Sequence, residues 1–120
     1  MILELTRTEA SDISYFLRAF CCEAPKEYPD SEINSVRALA KNVARQYDNA
    51  EYAGPDNDED SFIEIELNLD QAYDIRYYLK AVCSYNLVPE LNFQNINELR
   101  SLIMSFIKAE EEETIDGEII

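Results

Sequence analysis

Residues 3–21 read LELTRTEASDISYFLRAFC, and residues 65–83 read IELNLDQAYDIRYYLKAVC. Aligned without gaps at an offset of 62, nine of the 19 positions are identical: Glu4/Glu66, Leu5/Leu67, Ala10/Ala72, Asp12/Asp74, Ile13/Ile75, Tyr15/Tyr77, Leu17/Leu79, Ala19/Ala81 and Cys21/Cys83. Five more positions are close, including Leu3/Ile65, Glu9/Gln71 and Arg18/Lys80. After one inserted residue the correspondence resumes at an offset of 63 with Ile33/Ile96, Asn34/Asn97, Val36/Leu99, Arg37/Arg100 and Leu39/Leu102. Two amphipathic helices share apolar stripes for reasons of burial alone, which accounts for Ile13/Ile75 and Leu17/Leu79. It does not account for Asp12/Asp74, Tyr15/Tyr77 or Asn34/Asn97. Self-similarity at a fixed offset is the mark of a repeated unit.

Each unit is expected to form a strand, a helix and a second helix. Leu3 and Leu5 alternate with Glu4, and Ile63, Ile65, Leu67 and Leu69 alternate with Glu64, Glu66 and Asn68. A period of two marks a strand with one buried face. Thr8 and Asp70 stand where N-caps are expected, because their side-chain oxygens can accept an orphan backbone N–H. The first helices run to about Cys22 and Ser84, with apolar stripes Ala10, Ile13, Phe16, Leu17, Phe20 and Ala72, Ile75, Tyr78, Leu79, Val82. Spacings of three and four keep each stripe on one face. Pro25, Pro29 and Pro89 then interrupt the chain. The second helix begins near Asp30 or Ser31 and carries Ile33, Val36, Ala40, Val43 and Tyr47. Its counterpart carries Ile96, Leu99, Ile103 and Phe106.

One strand and two one-sided helices do not close a core, but two such units do. The expected fold is therefore α+β and mostly helical: two strand-helix-helix repeats with pseudo-twofold symmetry and a small antiparallel sheet. The single domain divides into repeat 1 (1–47), an acidic linker (48–61), repeat 2 (62–109) and an acidic C-terminal tail (110–120). A duplicated unit also suggests a monomer that stands in for a homodimer of half-length chains.

The chain has 120 residues, enough to bury roughly two-thirds of its surface without a disulfide or metal staple. Ten Lys and Arg face 25 Asp and Glu, a net charge of −15. That balance argues against direct nucleic-acid binding and against an anionic membrane surface. The absence of His excludes Ser-His-Asp, Cys-His and His-ligated metal chemistry, and two glycines are too few for a phosphate-cradling loop. No apolar run is long enough to span a bilayer. The opening residues lack a basic segment and a long apolar segment, so no secretory signal is expected. Cys21, Cys22 and Cys83 have no CxxC spacing and read as reduced thiols filling space in a cytoplasmic protein.

The acids are unevenly placed. Residues 48–60 (DNAEYAGPDNDED) and 110–120 (EEEETIDGEII) hold 12 of the 25 and no base. Both read as mobile, solvated segments, which suits solubility or the steering of a basic partner better than a rigid mimic of DNA. A calcium loop starting at Asp56 fails, because Ser61 and Leu67 occupy the positions that need Gly and a bidentate Glu. Glu64 and Glu66 share the solvent side of a strand with no accompanying pocket motif, so no catalytic residues are assigned and no enzyme activity, metal or cofactor is expected.

A second stripe on the first helices lies off the expected core: Asp12, Tyr15, Ala19 and Cys22, matched by Asp74, Tyr77, Ala81 and Ser84, with Tyr73 beside it. Tyrosine buries much area with few torsions and keeps a polar tip, which favours interfaces. The candidate partner-binding residues are Asp12, Tyr15, Tyr73, Asp74 and Tyr77, assisted by the linker acids Asp58, Glu59 and Asp60. The leading expectation is a non-enzymatic inhibitor or immunity-type protein that docks on a larger protein. The alternatives are an acidic DNA mimic and, more remotely, a domain with unfamiliar carboxylate chemistry.

In length, in the acidic segments at 48–60 and 110–113, and in lacking catalytic residues, the chain resembles the small acidic proteins that bacteriophages encode against host defence. Among these it is most similar to the phage inhibitors of the bacterial defence-associated sirtuin, a NAD-depleting enzyme. That resemblance implies a host-cytoplasmic inhibitor that binds a larger bacterial protein, prevents NAD loss and carries no cofactor. Anti-CRISPR proteins and toxin-neutralising immunity or antitoxin proteins share the same features, so the target stays open.

Overall fold

Strand alternation sets the buried side of the sheet. In the computed structural model, which describes residues 2–51 and 62–119 and the side chains of 2–49 and 62–112, β1 spans Ile2–Thr6 and β2 spans Phe62–Glu66. Leu3, Leu5, Ile63 and Ile65 face the core, while Glu4, Glu64 and Glu66 face outward and are exposed. The strands pair antiparallel in the register Ile2↔Glu66, Leu3↔Ile65, Glu4↔Glu64, Leu5↔Ile63, Thr6↔Phe62.

Four helices complete the described chain: α1 (Arg7–Glu23), α2 (Asp30–Glu51), α3 (Leu69–Ser84) and α4 (Phe93–Ile119), with a 3-10 turn at Glu90–Asn92 before α4. The protein is thus α+β and mostly helical, with one small antiparallel sheet. α1 packs chiefly on α2, α3 on α4, and α1 on α3. The expected stripes of α1 and α3 are buried along their length. From α2, Val36, Leu39, Ala40 and Val43 enter the core; from α4, Ile96, Leu99, Ile103 and Ile107 do. Phe106, assigned to the stripe from spacing, is only partly buried, and Ile107 takes the fully buried place. Ser14 is the buried polar residue of α1, and its hydroxyl donates to the Ala40 carbonyl at 3.4 Å.

The helix starts differ from the sequence expectation. Thr6 and Asn68 are the N-caps of α1 and α3, two residues ahead of Thr8 and Asp70. Thr6 Oγ1 accepts from Glu9 N at 3.1 Å, and Glu9 Oε1 accepts from Thr6 N at 2.8 Å. Asn68 Oδ1 and Gln71 Oε1 make the same reciprocal pair at 2.8 and 2.9 Å. Each helix starts as soon as its strand ends, so the cap falls on the last extended residue. The Thr-x-x-Glu and Asn-x-x-Gln spacings then satisfy two orphan donors at once. Asp70 sits in the first turn, where its charge meets the positive end of the helix dipole.

The exit of α3 uses Asn86 in the left-handed region, at φ 53°. Leu87 N reaches back to Val82 O at 3.0 Å, closing the last turn.

Two boundaries move. α2 continues to Glu51, so residues 48–51 of the expected linker are helical. α4 continues to Ile119, so the expected tail extends a helix rather than following one. Glutamate is a good helix former, and the buried Ile107 anchors the turns from which the acidic run extends. Asp58, Glu59 and Asp60 lie outside the described residues.

The outer edge of β2 is closed by a side chain. Gln46 of α2 donates from Nε2 to the Glu66 carbonyl at 2.9 Å and accepts the Glu66 N–H on Oε1 at 2.7 Å. A glutamine amide presents one donor and one acceptor, so it substitutes for a neighbouring strand.

Candidate partner-binding surface

Five aromatic rings converge where the α1–α2 connection meets α3. The turn Tyr28 N→Pro25 O (3.1 Å) folds the connection back on itself. It sets the Tyr28 ring edge-on to Phe20, at 5.0 Å between centroids and 86°. Tyr78 of α3 packs on the same Phe20 at 4.9 Å. Tyr77 stands edge-on to Tyr78 at 5.0 Å, and Tyr85 edge-on to Tyr28 at 6.0 Å. Such T-shaped pairs place a ring's positive edge on a negative face.

The hydroxyls are tied down as well. The Tyr28 and Tyr77 hydroxyls are 3.3 Å apart. Tyr78 donates to Glu32 at 2.6 Å, and Tyr85 donates to Glu27. Burial, then the hydrogen bond to Glu32, pushes the Tyr78 phenol well above its ordinary range. The bond to Glu27 likewise raises Tyr85, and the bond to Tyr28 raises Tyr77. Asp74 is exposed at the margin, beside a cleft of about 180 Å³ lined by Val36, Leu39, Gln71 and Tyr78. Burial, Asp70 and Glu32 hold its carboxyl above the usual value. Tyr77 and Tyr85 are 53% and 42% exposed, whereas Tyr78 is 8% exposed, so the patch has an anchored base and an open rim.

Of the residues singled out in the sequence, Tyr77 and Asp74 lie on or beside this surface. Tyr15 is exposed elsewhere, edge-on to Phe16 at 5.4 Å, beside a cleft between α1 and α2 that includes Arg18, Tyr47 and Asp48. Asp12 is half-buried, and burial followed by Glu9 raises its carboxyl. Tyr73 is 38% exposed and donates to Glu111 of α4. Neither Tyr15 nor Tyr73 shares a ring contact or hydrogen bond with Tyr77. The second stripe is also broken, because Ala81 is buried in the core. Cys22 is exposed, while Cys21 and Cys83 pack partly against the core, and all three are free thiols.

Sequence reading missed Tyr28, Tyr85, Glu27 and Glu32, and assigned Tyr78 to the core alone. The one local signal was Tyr28 framed by Pro25 and Pro29, a connection too short to leave its ring free.

Among the described residues, no three Cys, Asp or Glu side chains are grouped to hold a metal ion. Nor is any described helix long and apolar enough to cross a membrane. Comparisons with protein-family models, with curated proteins and with solved structures find no match to this chain.

Proposed function

We propose that this chain is a non-catalytic binding protein that docks on a larger protein through the tyrosine–carboxylate surface. The observation that carries the reading is the state of Tyr77 and Tyr85: open to solvent, yet each fixed by a hydrogen bond and an edge-on ring contact. Aromatic anchors already held in one rotamer lose little conformational entropy on binding. The carboxylates of Glu27, Glu32 and Asp74 give the surface a negative rim, which favours a basic partner face.

We also infer that the domain arose as two copies of a strand-helix-helix unit arranged about a pseudo-twofold axis. Three matches support this. The capping boxes stand at an offset of 62, from Thr6 and Glu9 to Asn68 and Gln71. α2 and α4 begin at Asp30 and Phe93, the offset of 63 seen in the second-helix alignment. The strand register is unchanged when each residue is exchanged for its counterpart. A single such chain would dock as a monomer.

Size, acidity and docking chemistry suit an inhibitor encoded by a phage and acting in the host cytoplasm on a defence effector, the NAD-depleting sirtuin being the leading candidate. The test is co-expression with that effector, reading cellular NAD and co-purification together. The native chain should preserve NAD and co-purify with the effector. Tyr77→Ala combined with Tyr85→Ala should lose both at an unchanged melting temperature. NAD loss with the native chain removes this target, and full activity of the folded double variant removes the surface.

A further inference from the structure

Away from the tyrosine surface, an open cleft of about 360 Å³ runs along α4, lined by Asn97, Arg100, Ser101, Met104, Ser105 and Lys108 and by Arg76 of α3. Its charge runs against the rest of the molecule. The chain carries 25 acids and 10 bases, yet this cleft holds three of the bases and no carboxylate. Arg100, Met104 and Lys108 recur every four residues, so α4 presents them in one row. Asn97, Ser101 and Ser105 form the adjoining row. Arg76 faces them from α3.

The arginines are poorly served by the protein itself. The Nε atoms of Arg76 and Arg100 are buried without a hydrogen-bond partner. Among the described residues, neither guanidinium nor the Lys108 ammonium forms an ion pair. With no carboxylate paired to them, the two guanidinium charges that line the cleft are uncompensated by the protein, and an anion bound there would compensate them. The contrast with Arg37, the counterpart of Arg100, is informative, because Arg37 donates to Asn34 at 2.8 Å.

We propose that this cleft binds a small molecule bearing a phosphate monoester, of about mononucleotide size. A phosphate monoester carries nearly two negative charges at neutral pH and several strong acceptor oxygens. The two guanidinium forks match such oxygens pairwise, and Lys108 supplies a third positive charge. Ser101 and Asn97 add neutral donors, the Ser105 hydroxyl being donated to the Ser101 carbonyl at 3.2 Å, and Met104 offers apolar surface to the body of the ligand. The volume lies within the usual range of small-molecule sites. The net charge of −15 does not prevent this. Glu111 and Glu112 stand one turn beyond Lys108 and bound the cleft at that end, while charges beyond about 8 Å are largely screened at physiological salt.

The experiment is titration of the isotopically labelled native chain with adenosine monophosphate, inorganic phosphate and adenosine, read by amide and side-chain chemical shifts and by calorimetry. Adenosine monophosphate should shift Asn97, Ser101, Ser105 and the arginine Nε resonances, inorganic phosphate should shift the same set more weakly, and adenosine should shift none. Arg76→Gln and Arg100→Gln should each weaken binding by about tenfold or more, as expected on losing a charge-assisted fork. Lys108 is exposed, so Lys108→Gln provides a weakened variant even where an arginine change unfolds the chain. Three results overturn the proposal: no shift at millimolar adenosine monophosphate, equal shifts with adenosine, or unchanged affinity in folded Lys108→Gln and Arg100→Gln.

Discussion

Leu3 of β1 stands directly opposite Ile65 of β2, and these two residues hold the same place in the two aligned segments. Glu66 turns its N–H and C=O outward to Gln46, so the Leu3–Ile65 pair is one that exchanges backbone hydrogen bonds. Both side chains are fully buried. Leu3→Ala and Ile65→Ala should each cost about 2–5 kcal/mol in urea unfolding. The double variant should depart from additivity by about 0.5 kcal/mol or more, since the residues are neighbours.

The capping boxes separate the true helix starts from their neighbours. Thr6→Ala and Asn68→Ala should each cost about 1 kcal/mol. Thr8→Ala, made one turn position later, should cost under about 0.5 kcal/mol. Chemical denaturation of the three variants decides which residues are caps.

Gln46 is the residue that ends the sheet at β2. Gln46→Ala removes two hydrogen bonds to one backbone unit, and the position matched to it in α4 is Ala109, which has no such group. A loss of about 1–3 kcal/mol is expected, with faster hydrogen exchange at the Glu66 amide. Unchanged exchange there would mean that water serves the edge equally well.

The tyrosine surface has an alkaline signature. The Tyr78 phenol is raised above its ordinary value of 10 by burial and then by Glu32. A group that is harder to ionise in the folded chain contributes stability in full below its unfolded value. That contribution is lost as pH rises past it. Stability should therefore fall as pH climbs above 10, and the Tyr78 phenolate should appear only with unfolding. The difference in phenolate absorbance between the native chain and Tyr78→Phe measures this. Glu32→Gln should bring the ionisation to lower pH while leaving the part due to burial.

Much of the fold was legible because it is written in local periods. Alternation in 3–5 and 63–69 and the three-and-four spacing of Ile13, Phe16, Leu17 and Phe20 need only neighbours along the chain, although β2 ends at Glu66 and Leu69 already opens α3, because Asn68 caps the helix. The candidate surface was less legible. Tyr77 and Asp74 stood out as repeated positions, but Tyr28 is 49 residues from Tyr77, and no local pattern announces their meeting. The acidic end was misjudged because composition measures charge, whereas helix continuation depends on glutamate's propensity and on the buried turn at Ile107.

The amino-acid order alone thus determined the strand faces, the helix stripes, their proline boundaries and the matched offsets, since each follows from the preferences of adjacent residues. Tertiary packing decided the rest: which tyrosines share a surface, how Gln46 closes β2, and that Arg76 meets Arg100 and Lys108 across two helices. These are juxtapositions of distant segments, and they come into being only when the apolar stripes have been buried together.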